Sequence, residues 1–370
     1  MNRRKKIAVG MSGGVDSSVA AALLKEEGYE VVGISMAIFD GNAPGRRGGR
    51  HACYGPEEKE DIDVATAVCR RIGIPFHVID LRKQYREYVI NYFRREYLAG
   101  RTPNPCVACN QHLKFGLLLQ KALEAGIDFD IFATGHYAQV DRVGGQHVLR
   151  KAADRSKDQS YFLYTLTPAQ LARTIFPLGT MTKERVKEIA RNIGLENADR
   201  RESQDFVGSG DYSVFFRKRD ACEGDIVDQE GKLLGKHQGI IHYTIGQRRG
   251  LGISSDRPLY VVDINSELNR LIVGEWDTIF SRGMIVSDLI LPLSQDCNLP
   301  LRARVKIRLR HREAEGTIYP HGENRARVLF DEPQMSVTPG QSAVFYGEDV
   351  VLGGGIIEQA IRHGGTIGTE

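Results

Sequence analysis

The sequence lacks the features of a membrane protein and of a disulfide-stabilised secreted protein. Among its 370 residues, no apolar run approaches the length needed to span a bilayer. Its six cysteines follow no regular framework, which fits a reducing compartment where cysteines serve chemistry or bind metals. The basic start MNRRKKIAVG leads into a predicted strand rather than a signal peptide. We therefore expect a cytoplasmic protein with no membrane partner.

An excess of charge of one sign is also absent, because 50 Lys and Arg residues balance 47 Asp and Glu residues and leave a net charge of +3. Any nucleic-acid-binding surface must therefore come from local clusters of basic residues. The length exceeds that of one ordinary core, so two or three domains are expected. We predict domains at 1–210, 211–280 and 281–360.

The first half of the chain alternates predicted strands with predicted helices. The strands are Lys5–Met11, Glu30–Met36, Pro75–Leu81 and Asp130–Gly135, and the helices are Ser17–Glu27, Glu57–Ile72, Tyr85–Leu98 and Gln111–Ala125. This alternation predicts an α/β fold with a doubly wound parallel sheet, whose ligand lies beyond the carboxyl ends of the strands. Further helices are predicted at Pro168–Thr174 and Thr182–Asn192. From about Asp225, short strands with turn sequences predict a β-rich second half that divides near residue 280.

The most informative segment is IAVGMSGGVDSSV at 7–19, where a predicted strand runs through a glycine turn into a helix. Gly13 and Gly14 are expected to supply positive φ angles, and the loop amides then converge at the positive end of the helix. Such a loop binds phosphate. It lacks the lysine of a Walker A motif, which suits holding departing pyrophosphate better than positioning a γ-phosphoryl group. SGGVDSS resembles the PP-loop of the ATP pyrophosphatases; the alternative is a glycine turn with a Ser/Asp helix cap.

The segment RTPNPCVACNQHLKFG at 101–116 places the C-x-x-C pair Cys106 and Cys109 just before a predicted helix. A helix N-terminus lowers the pKa of a nearby thiol, so we expect one or both cysteines to be partly thiolate near neutral pH. A thiolate there can act as a nucleophile, carry a persulfide sulfur or bind a metal. The alternatives are a structural zinc half-site, whose second ligand pair is missing, and two ordinary buried cysteines.

Two segments of the first half combine polar groups with ring side chains. In ATGHYAQ at 133–139, Gly135 would let a nucleotide approach the backbone, and His136 either bonds a phosphate or base or lies in a solvated loop. In KDQSYFLY at 157–164, polar and aromatic residues alternate, which suits the reading of a splayed-out RNA base, although Phe162 and Tyr164 could simply pack.

The segment LRARVKIRLR at 301–310 is a predicted strand with all its cations on one face. These cations either contact phosphates or form a solvated face. The basic segments GQRRG at 246–250 and RKR at 217–219 favour nucleic acid.

Taken together, these motifs resemble those of the tRNA-specific 2-thiouridylase family. The shared segments are SGGVDSS, GRTPNPCVACNQHLKFG, ATGHYA, KDQSYFLY, SQDF, GIIHYTIGQRRGLG and PGQSAVFY. The resemblance implies a PP-loop catalytic domain, a small central domain and a C-terminal β-barrel. It implies an ATP- and Mg²⁺-dependent sulfurtransferase that thiolates carbon 2 of the wobble uridine in tRNAs for Lys, Glu and Gln through an adenylated uridine. The expected partners are the anticodon stem-loop of tRNA and a cysteine desulfurase or sulfur-relay protein.

The resemblance also assigns residues to roles. The ATP-binding residues would be Gly10, Met11, Ser12, Gly13, Gly14, Val15, Asp16, Ser17, Met36 and Gly135. The tRNA-binding residues would be Asn104, Pro105, Cys106, His136, Lys157, Asp158, Gln159, Arg308, Leu309 and Gln341. Cys109 would be the nucleophile, with Cys106 and Asp16 as further catalytic residues.

One departure from the family pattern concerns sulfur delivery. The second catalytic cysteine of the family should follow the run Ser203-Gln204-Asp205, yet Phe206 stands there, as though an Ile-Cys pair were deleted. A [4Fe–4S] cluster on Cys53, Cys106 and Cys109, with an open iron that carries the sulfur, is therefore predicted. A persulfide relay on Cys106 and Cys109 alone is the alternative.

Two other functions remain open from the residues alone. One is a different PP-loop ligase that adenylates a small carboxylate or another base. The other is a non-catalytic RNA-binding or sulfur-carrier protein.

Overall fold

The computed structural model describes residues 5–41, 52–198, 206, 212–292 and 300–362. The run Ser203–Asp205, on which the prediction of a missing cysteine rests, lies outside these residues. The chain divides into two units. Unit 1 comprises Met1–Ile90, Pro105–Asp211 and Asp349–Val351, and unit 2 comprises Asn91–Asn104, Tyr212–Glu348 and Leu352–Glu370.

Unit 1 contains the predicted parallel sheet. Its strands are β1 (Lys6–Gly10), β2 (Glu30–Ala37), β3 (Phe76–Asp80), β4 (Ile131–Thr134), β5 (Ala138–Val143), β6 (Gln146–Lys151) and β7 (Thr174–Ile175). The sheet order is β3-β2-β1-β4-β7 with every pair parallel, and β5 and β6 form an antiparallel hairpin. This order confirms the doubly wound α/β fold, and it sets the ends of β1 and β4 side by side.

Helices alternate with these strands. They span Val15–Glu26, Glu58–Ile72, Arg82–Tyr85, Arg86–Ile90, Pro105–Ala108, Cys109–Leu117, Leu118–Glu124, Ser160–Phe162, Pro168–Leu171 and Lys183–Asn192. Ile7 and Val9 of β1 and Val19 of the first helix are fully buried in one core. The helix predicted from Gln111 begins six residues earlier, because Pro105 fits the first turn of a helix, where no amide hydrogen is needed.

Unit 2 contains two β-structures. Its strands are β8 (Gly224–Val227), β9 (Leu233–His237), β10 (Tyr260–Asn265), β11 (Arg270–Gly274), β12 (Phe280–Ile290), β13 (Leu301–Lys306), β14 (Ala314–Pro320), β15 (Ala326–Met335), β16 (Ser342–Gly347) and β17 (Val350–Ile361, which begins in unit 1). The first four form a sheet in the order β10-β11-β8-β9. The others run β12-β15-β14-β13-β16-β17, and β12 also pairs with β17, which closes the expected β-barrel.

The helix Asn91–Leu98 groups with unit 2 although its sequence precedes the cysteine motif. Its rings explain this grouping. Phe93 lies 5.2 Å from Tyr212 between ring centroids, and Tyr97 lies 6.1 Å from Phe216. A sequence reading that treats Tyr85–Leu98 as one helix of the first domain misses this grouping, because the partner rings lie more than a hundred residues away.

No helix in the described ranges is long and apolar enough to cross a lipid bilayer.

Candidate nucleotide and thiol site

The loop Gly10–Ser17, called the PP-loop here, turns sharply between β1 and the helix Val15–Glu26. Gly13 has a φ of +72°, and a Cβ atom there would lie 2.5 Å from the carbonyl oxygen of Asp61, so only glycine fits. Gly14 has a φ of −80° and caps the helix in extended backbone. The prediction of a positive φ is therefore confirmed for Gly13 and wrong for Gly14.

Hydrogen bonds hold the PP-loop in this shape. The hydroxyls of Ser17 and Ser18 donate to the carbonyl oxygen of Gly14 at 3.1 and 2.9 Å. The side-chain amide of the buried Asn197 donates to the carbonyl oxygen of Gly13 at 2.9 Å and to Ser18 Oγ at 3.0 Å. Because the first amides of a helix have no partner within it, the braced loop presents them to an anion.

A lysine from a distant helix supplies the charge that the PP-loop lacks. Lys183 Nζ lies 2.7 and 2.8 Å from the two carboxylate oxygens of Asp16, and its side chain is only 5% exposed. The Tyr137 hydroxyl donates to Asp16 Oδ1 at 2.9 Å. The sequence did not predict Lys183, Tyr137 or Asn197 as site residues. The only local signal was Thr182, whose hydroxyl accepts from the Arg185 amide and sets the start of the helix that carries Lys183.

Gly135 lies against the PP-loop itself. A Cβ atom at Gly135 would be 2.6 Å from both the Asp16 carbonyl carbon and the Ser17 nitrogen. The sequence predicted that this glycine lets a nucleotide approach the backbone. In the structure, the group that approaches it closely is the backbone of the PP-loop.

The remaining predicted ATP-binding residues line up along the ends of β1 and β2. A Cβ atom at Gly10 would meet the Phe132 ring at 3.2 Å. Met11 and Val15 are buried, so they can offer a ligand only their backbones. Ser12 is exposed, and Met36 is half-buried near the end of β2.

Cys106 and Cys109 lie inside a helix rather than before it. Cys106 is half-buried in the first turn, and Cys109 is buried one turn further on. Burial raises the pKa of the Cys109 thiol, and the positive charge of Lys114 opposes this only in part. The expected lowering of the thiol pKa is therefore wrong for Cys109, because loss of hydration outweighs the favourable charge nearby.

Cys53 lies near the same thiols. Cys53 is exposed as a residue, but desolvation around its thiol raises the pKa, and the charges of Cys106 and Cys109 act in the same direction. Its neighbour Tyr54 stacks on Tyr85 with ring centroids 5.2 Å apart, and Tyr85 lies in the segment just before the helix Arg86–Ile90, which contacts the cysteine helix. The Tyr54 amide also donates to the carbonyl oxygen of Phe206 at 3.1 Å.

These cysteines do not fit the predicted [4Fe–4S] cluster. Among the described residues, which include all three thiols, no group of three His, Cys, Asp or Glu side chains is arranged to hold a metal ion. A cluster binds thiolates. Burial raises the pKa of the Cys109 thiol instead, which opposes its ionisation.

His136 follows β4 in a partly apolar setting. Its Nδ1 is hydrogen-bonded to the Thr134 hydroxyl at 2.8 Å, and its ring lies 6.1 and 6.3 Å from those of Phe115 and Phe176. Burial and the charge of Lys114 hold the pKa of His136 well below its usual value. The imidazole is therefore neutral near pH 7 and can hydrogen-bond a base more readily than it can neutralise a phosphate.

The segment Lys157–Gln159 is tied into unit 1. The buried carboxylate of Asp158 accepts from the Ala152 amide at 2.9 Å and from the Ser160 hydroxyl at 2.8 Å. Gln159 Oε1 accepts from the Tyr137 amide at 2.9 Å and so supports the tyrosine that bonds Asp16. Lys157 is half-buried.

Two rings of the following segment are unavailable to a base. Tyr161 is 1% exposed and Tyr164 is 3% exposed. The interpretation of these rings as base-reading groups is wrong, and the packing alternative is confirmed for Tyr164.

The cationic strand is shorter and better neutralised than predicted. β13 ends at Lys306, and a turn follows that contains Leu309. Arg302 forms two bonds of 2.7 Å with Asp331, and Arg304 lies 3.8 Å from a Glu313 carboxylate oxygen. Arg302 therefore already has its counter-charge within the barrel. Arg248 and Arg249 of the GQRRG segment are exposed.

Two predicted tRNA contacts, Arg308 and Gln341, bind backbone carbonyls of unit 2. One guanidinium nitrogen of Arg308, Nη2, donates to the carbonyl oxygens of Ile245 and Ser336 at 3.1 and 3.0 Å. Gln341 donates to Thr102 and Pro103, just before the buried Asn104 and the half-buried Pro105.

Comparison with known proteins identifies the class first. Residues 5–208 match the family described as the tRNA methyl transferase HUP domain, residues 216–275 the tRNA methyl transferase PRC-barrel domain, and residues 281–357 the aminomethyltransferase beta-barrel domain. These three regions follow one another as the α/β sheet, the small sheet and the barrel do.

Full-length relatives then identify the family. The protein named tRNA-specific 2-thiouridylase MnmA in Geobacter metallireducens is 48% identical over 372 positions, which cover 98% of this chain and 99% of the relative. The proteins of the same name in Geotalea uraniireducens and Acetivibrio thermocellus are 46% and 44% identical; they cover 98% and 96% of this chain and 97% and 99% of their own lengths. The chain belongs to the tRNA-specific 2-thiouridylase family.

Proposed function

We propose that this chain is a tRNA uridine 2-sulfurtransferase that uses ATP to thiolate carbon 2 of the wobble uridine in tRNAs for Lys, Glu and Gln. The observation that carries the proposal is the braced PP-loop with its ion pair between Asp16 and Lys183. Membership of the 2-thiouridylase family and the C-x-x-C helix of the same unit support the thiolation chemistry.

ATP would bind with its phosphates at the PP-loop amides. Lys183 is then the cation within reach, and the phosphates compete with Asp16 for it. Mg²⁺ binds phosphate oxygens together with only one or two carboxylates, so Asp16 suffices as its protein ligand. The ion would supply positive charge for departing pyrophosphate.

The uridine must be activated because its carbonyl carbon is a poor electrophile and oxide is a poor leaving group. Attack of the oxygen at carbon 2 on the α-phosphate of ATP would release pyrophosphate and leave an adenylated base. A sulfur nucleophile then attacks carbon 2, and AMP leaves with the original oxygen. Flipping the base out of its stack costs a few kcal/mol, and least in a single-stranded anticodon loop.

A cysteine desulfurase or a sulfur-relay protein would transfer the outer sulfur of its own persulfide to Cys109, and the donor's thiolate would leave. The Cys109 persulfide would then attack carbon 2 as AMP leaves. Attack of the Cys106 thiol on Cys109 Sγ would release the 2-thiouridine and form a Cys106–Cys109 disulfide, which a thiol reductant reopens. Cys109 is the nucleophile in this scheme, and burial raises the pKa of its thiol. The neutral His136 is suited to hydrogen-bond the base, while the exposed Arg248 and Arg249 are suited to the RNA backbone.

The test is nucleoside mass spectrometry of tRNA after incubation with protein, ATP and a cysteine desulfurase supplied with free cysteine, with pyrophosphate release measured on an anticodon stem-loop. We expect 2-thiouridine and pyrophosphate from the native chain, and pyrophosphate without 2-thiouridine from Cys109→Ser. Cys222→Ser is the matched control, because Cys222 is an exposed cysteine of unit 2. We expect this variant to form both 2-thiouridine and pyrophosphate.

The same assay separates the alternatives. Pyrophosphate release by the native chain with no 2-thiouridine under any sulfur source indicates a different adenylating ligase. Binding of RNA without pyrophosphate release indicates a carrier or binding protein. Either result contradicts the proposal.

A further inference from the structure

The carboxylate of Asp16 accepts from two donors of different kinds. Lys183 Nζ lies 2.7 Å from Oδ1 and 2.8 Å from Oδ2, and the Tyr137 hydroxyl donates to Oδ1 at 2.9 Å. All three side chains belong to unit 1. The ammonium group is a charged donor that a phosphate also binds, whereas the phenol hydroxyl is a neutral donor. The two donors are therefore expected to respond differently when a nucleotide binds.

The position of the Tyr137 hydroxyl is fixed by its surroundings. The Tyr137 amide donates to Gln159 Oε1 at 2.9 Å, and its carbonyl oxygen accepts from the Gln159 amide at 2.8 Å. Gly135, two residues earlier, lies so close to the PP-loop that a Cβ atom there would be 2.6 Å from the Asp16 carbonyl carbon. The tyrosine itself is only 2% exposed. These contacts hold the hydroxyl at Asp16 without any contribution from Lys183.

Lys183 is anchored at its backbone but carries its charge on a flexible side chain. Its amide donates to Asp154 Oδ2 at 3.1 Å, and it is the first residue of the helix Lys183–Asn192. Its Nζ atom lies 5.7 Å from the centroid of the Tyr137 ring, within the range of a cation–π interaction. A lysine side chain has a four-carbon stem that rotates freely. The ammonium group can therefore change its anion partner while it stays beside the same ring.

A transfer of Lys183 to a phosphate takes the counter-charge away from Asp16. The Asp16 side chain is 27% exposed, so water hydrates this carboxylate only in part. A partly buried carboxylate needs donors, and a hydrogen bond to a charged group is stronger than one between neutral groups. The Tyr137 hydroxyl is such a donor, and its bond to Oδ1 does not require the ammonium group.

We propose that Tyr137 is a positioning residue, which keeps the Asp16 carboxylate hydrogen-bonded while Lys183 moves from Asp16 to the phosphates of ATP. No covalent bond changes in this step, and the tyrosine keeps its proton. The inference rests on the proposed function, because it places the nucleotide at the PP-loop. It goes further because the family resemblance assigns roles to Gly135 and His136 but none to Tyr137.

The test is isothermal titration of the full-length protein with α,β-methylene-ATP, an analogue that cannot be cleaved between its α- and β-phosphorus atoms. The titration contains no tRNA, and EDTA removes divalent cations that would otherwise give Asp16 another counter-charge. Tyr137→Phe keeps the ring beside Lys183 and removes only the hydroxyl. We expect this variant to bind the analogue about tenfold more weakly, the factor for loss of one hydrogen bond to a charged group.

Lys183→Met separates the proposed role from a purely structural one. Without Lys183, the Asp16 carboxylate depends on Tyr137 both before and after the nucleotide binds. Adding Tyr137→Phe to Lys183→Met should therefore change the Kd of the analogue by less than about twofold, the limit of ordinary additivity. A tyrosine that merely shapes the loop would weaken binding by the same factor in both backgrounds. Asp16→Asn is a second background with the same expectation, because it removes the charge that needs a donor.

Tyr346→Phe is the matched control, because Tyr346 is a fully buried tyrosine of β16 in unit 2. It should leave the Kd of the analogue unchanged.

Unchanged binding in Tyr137→Phe overturns the proposal, and so does an equal loss of affinity with and without Lys183. A native protein that does not bind the analogue contradicts both the inference and the nucleotide site of the proposed function. Binding effects as expected, with no 2-thiouridine in the nucleoside assay, contradict the proposed function alone.

Discussion

The PP-loop and the segment Thr102–Asn104 both precede a functional helix, yet they are held in opposite ways. The PP-loop bonds itself, because the hydroxyls of Ser17 and Ser18 both donate to Gly14 within four residues. In the segment Thr102–Asn104, Pro103 has no amide hydrogen to donate. The carbonyl oxygen of Thr102 instead accepts from the side chain of Gln341, 239 positions further along the chain. A locally braced loop tolerates changes elsewhere in the chain, whereas a remotely braced segment depends on a second structure being folded.

Remote residues also contact the PP-loop, because Asn197 and Tyr137 bond it and Lys183, 167 positions beyond Asp16, forms an ion pair with that residue. The ion pair makes the nucleotide loop dependent on a remote helix, as Gln341 does for the segment Thr102–Asn104 within unit 2. Mutants can therefore measure how much of each site survives when one remote contact is removed.

The largest effect is expected from Lys183→Met. It leaves the carboxylate of Asp16, which is 27% exposed, without its counter-charge, and loss of one member of such a pair costs about 3 kcal/mol of unfolding free energy. Pyrophosphate release should fall below detection, because the loop has no lysine of its own. The double variant Asp16→Asn with Lys183→Met should recover stability but not activity. Full pyrophosphate release by Lys183→Met would show that the loop alone suffices.

The next effect tests the local part of the same loop. Gly13→Ala should lower the unfolding free energy by about 2 kcal/mol, since it adds a side chain at positive φ and sets its Cβ against the Asp61 carbonyl group. Denaturant unfolding measures this change. Gly14→Ala is the matched control for stability, because a Cβ at Gly14 meets only Ser12 Oγ, at 3.4 Å. Equal destabilisation by the two substitutions would contradict the geometry described for the loop.

A smaller effect is expected on the RNA-binding side. Replacing the exposed Arg248 and Arg249 with Gln should weaken tRNA binding and reduce the slope of log Kd against log salt by about two, one for each lost phosphate contact. Arg302→Gln is the control, since Asp331 already neutralises Arg302 through two bonds. Filter binding over a salt series measures both slopes. A larger change of the salt slope in Arg302→Gln would mean that the cationic strand, rather than Arg248 and Arg249, contacts the phosphates.

The features that the sequence predicted well have local causes. The parallel sheet follows from alternating strands and helices, and the PP-loop follows from a strand, a glycine turn and two serines in one short run. Burial along β13 also follows from its own period of two, since Ala303 and Val305 are buried while Arg302 is exposed. In each case the residues that determine the structure are neighbours in the chain.

The features that the sequence missed have remote causes. Nothing near Lys183 shows that it will meet Asp16, and nothing near Gln341 shows that its amide will be used by two carbonyl groups. The prediction of a lowered thiol pKa for the C-x-x-C pair was wrong for Cys109 for a related reason. The spacing places both cysteines near a helix start, but the surrounding core sets the depth of burial that governs the pKa of Cys109. The cluster prediction depended on a geometry that the three thiols, all within the described residues, do not adopt.

The smallest expected effect concerns the pH dependence of Cys109. A thiol with a raised pKa is mostly protonated at pH 8, and its reaction with iodoacetamide requires the thiolate. The labelling rate of Cys109 should therefore keep rising at pH values where that of free cysteine has levelled off. Lys114→Met removes a positive charge that opposes this shift, so it should move the profile further to higher pH. Lys121→Met is the control, since Lys121 is an exposed lysine of the following helical segment that pairs with Glu124. A Cys109 profile that levels off below that of free cysteine would mean that the helix start, rather than burial, governs this thiol.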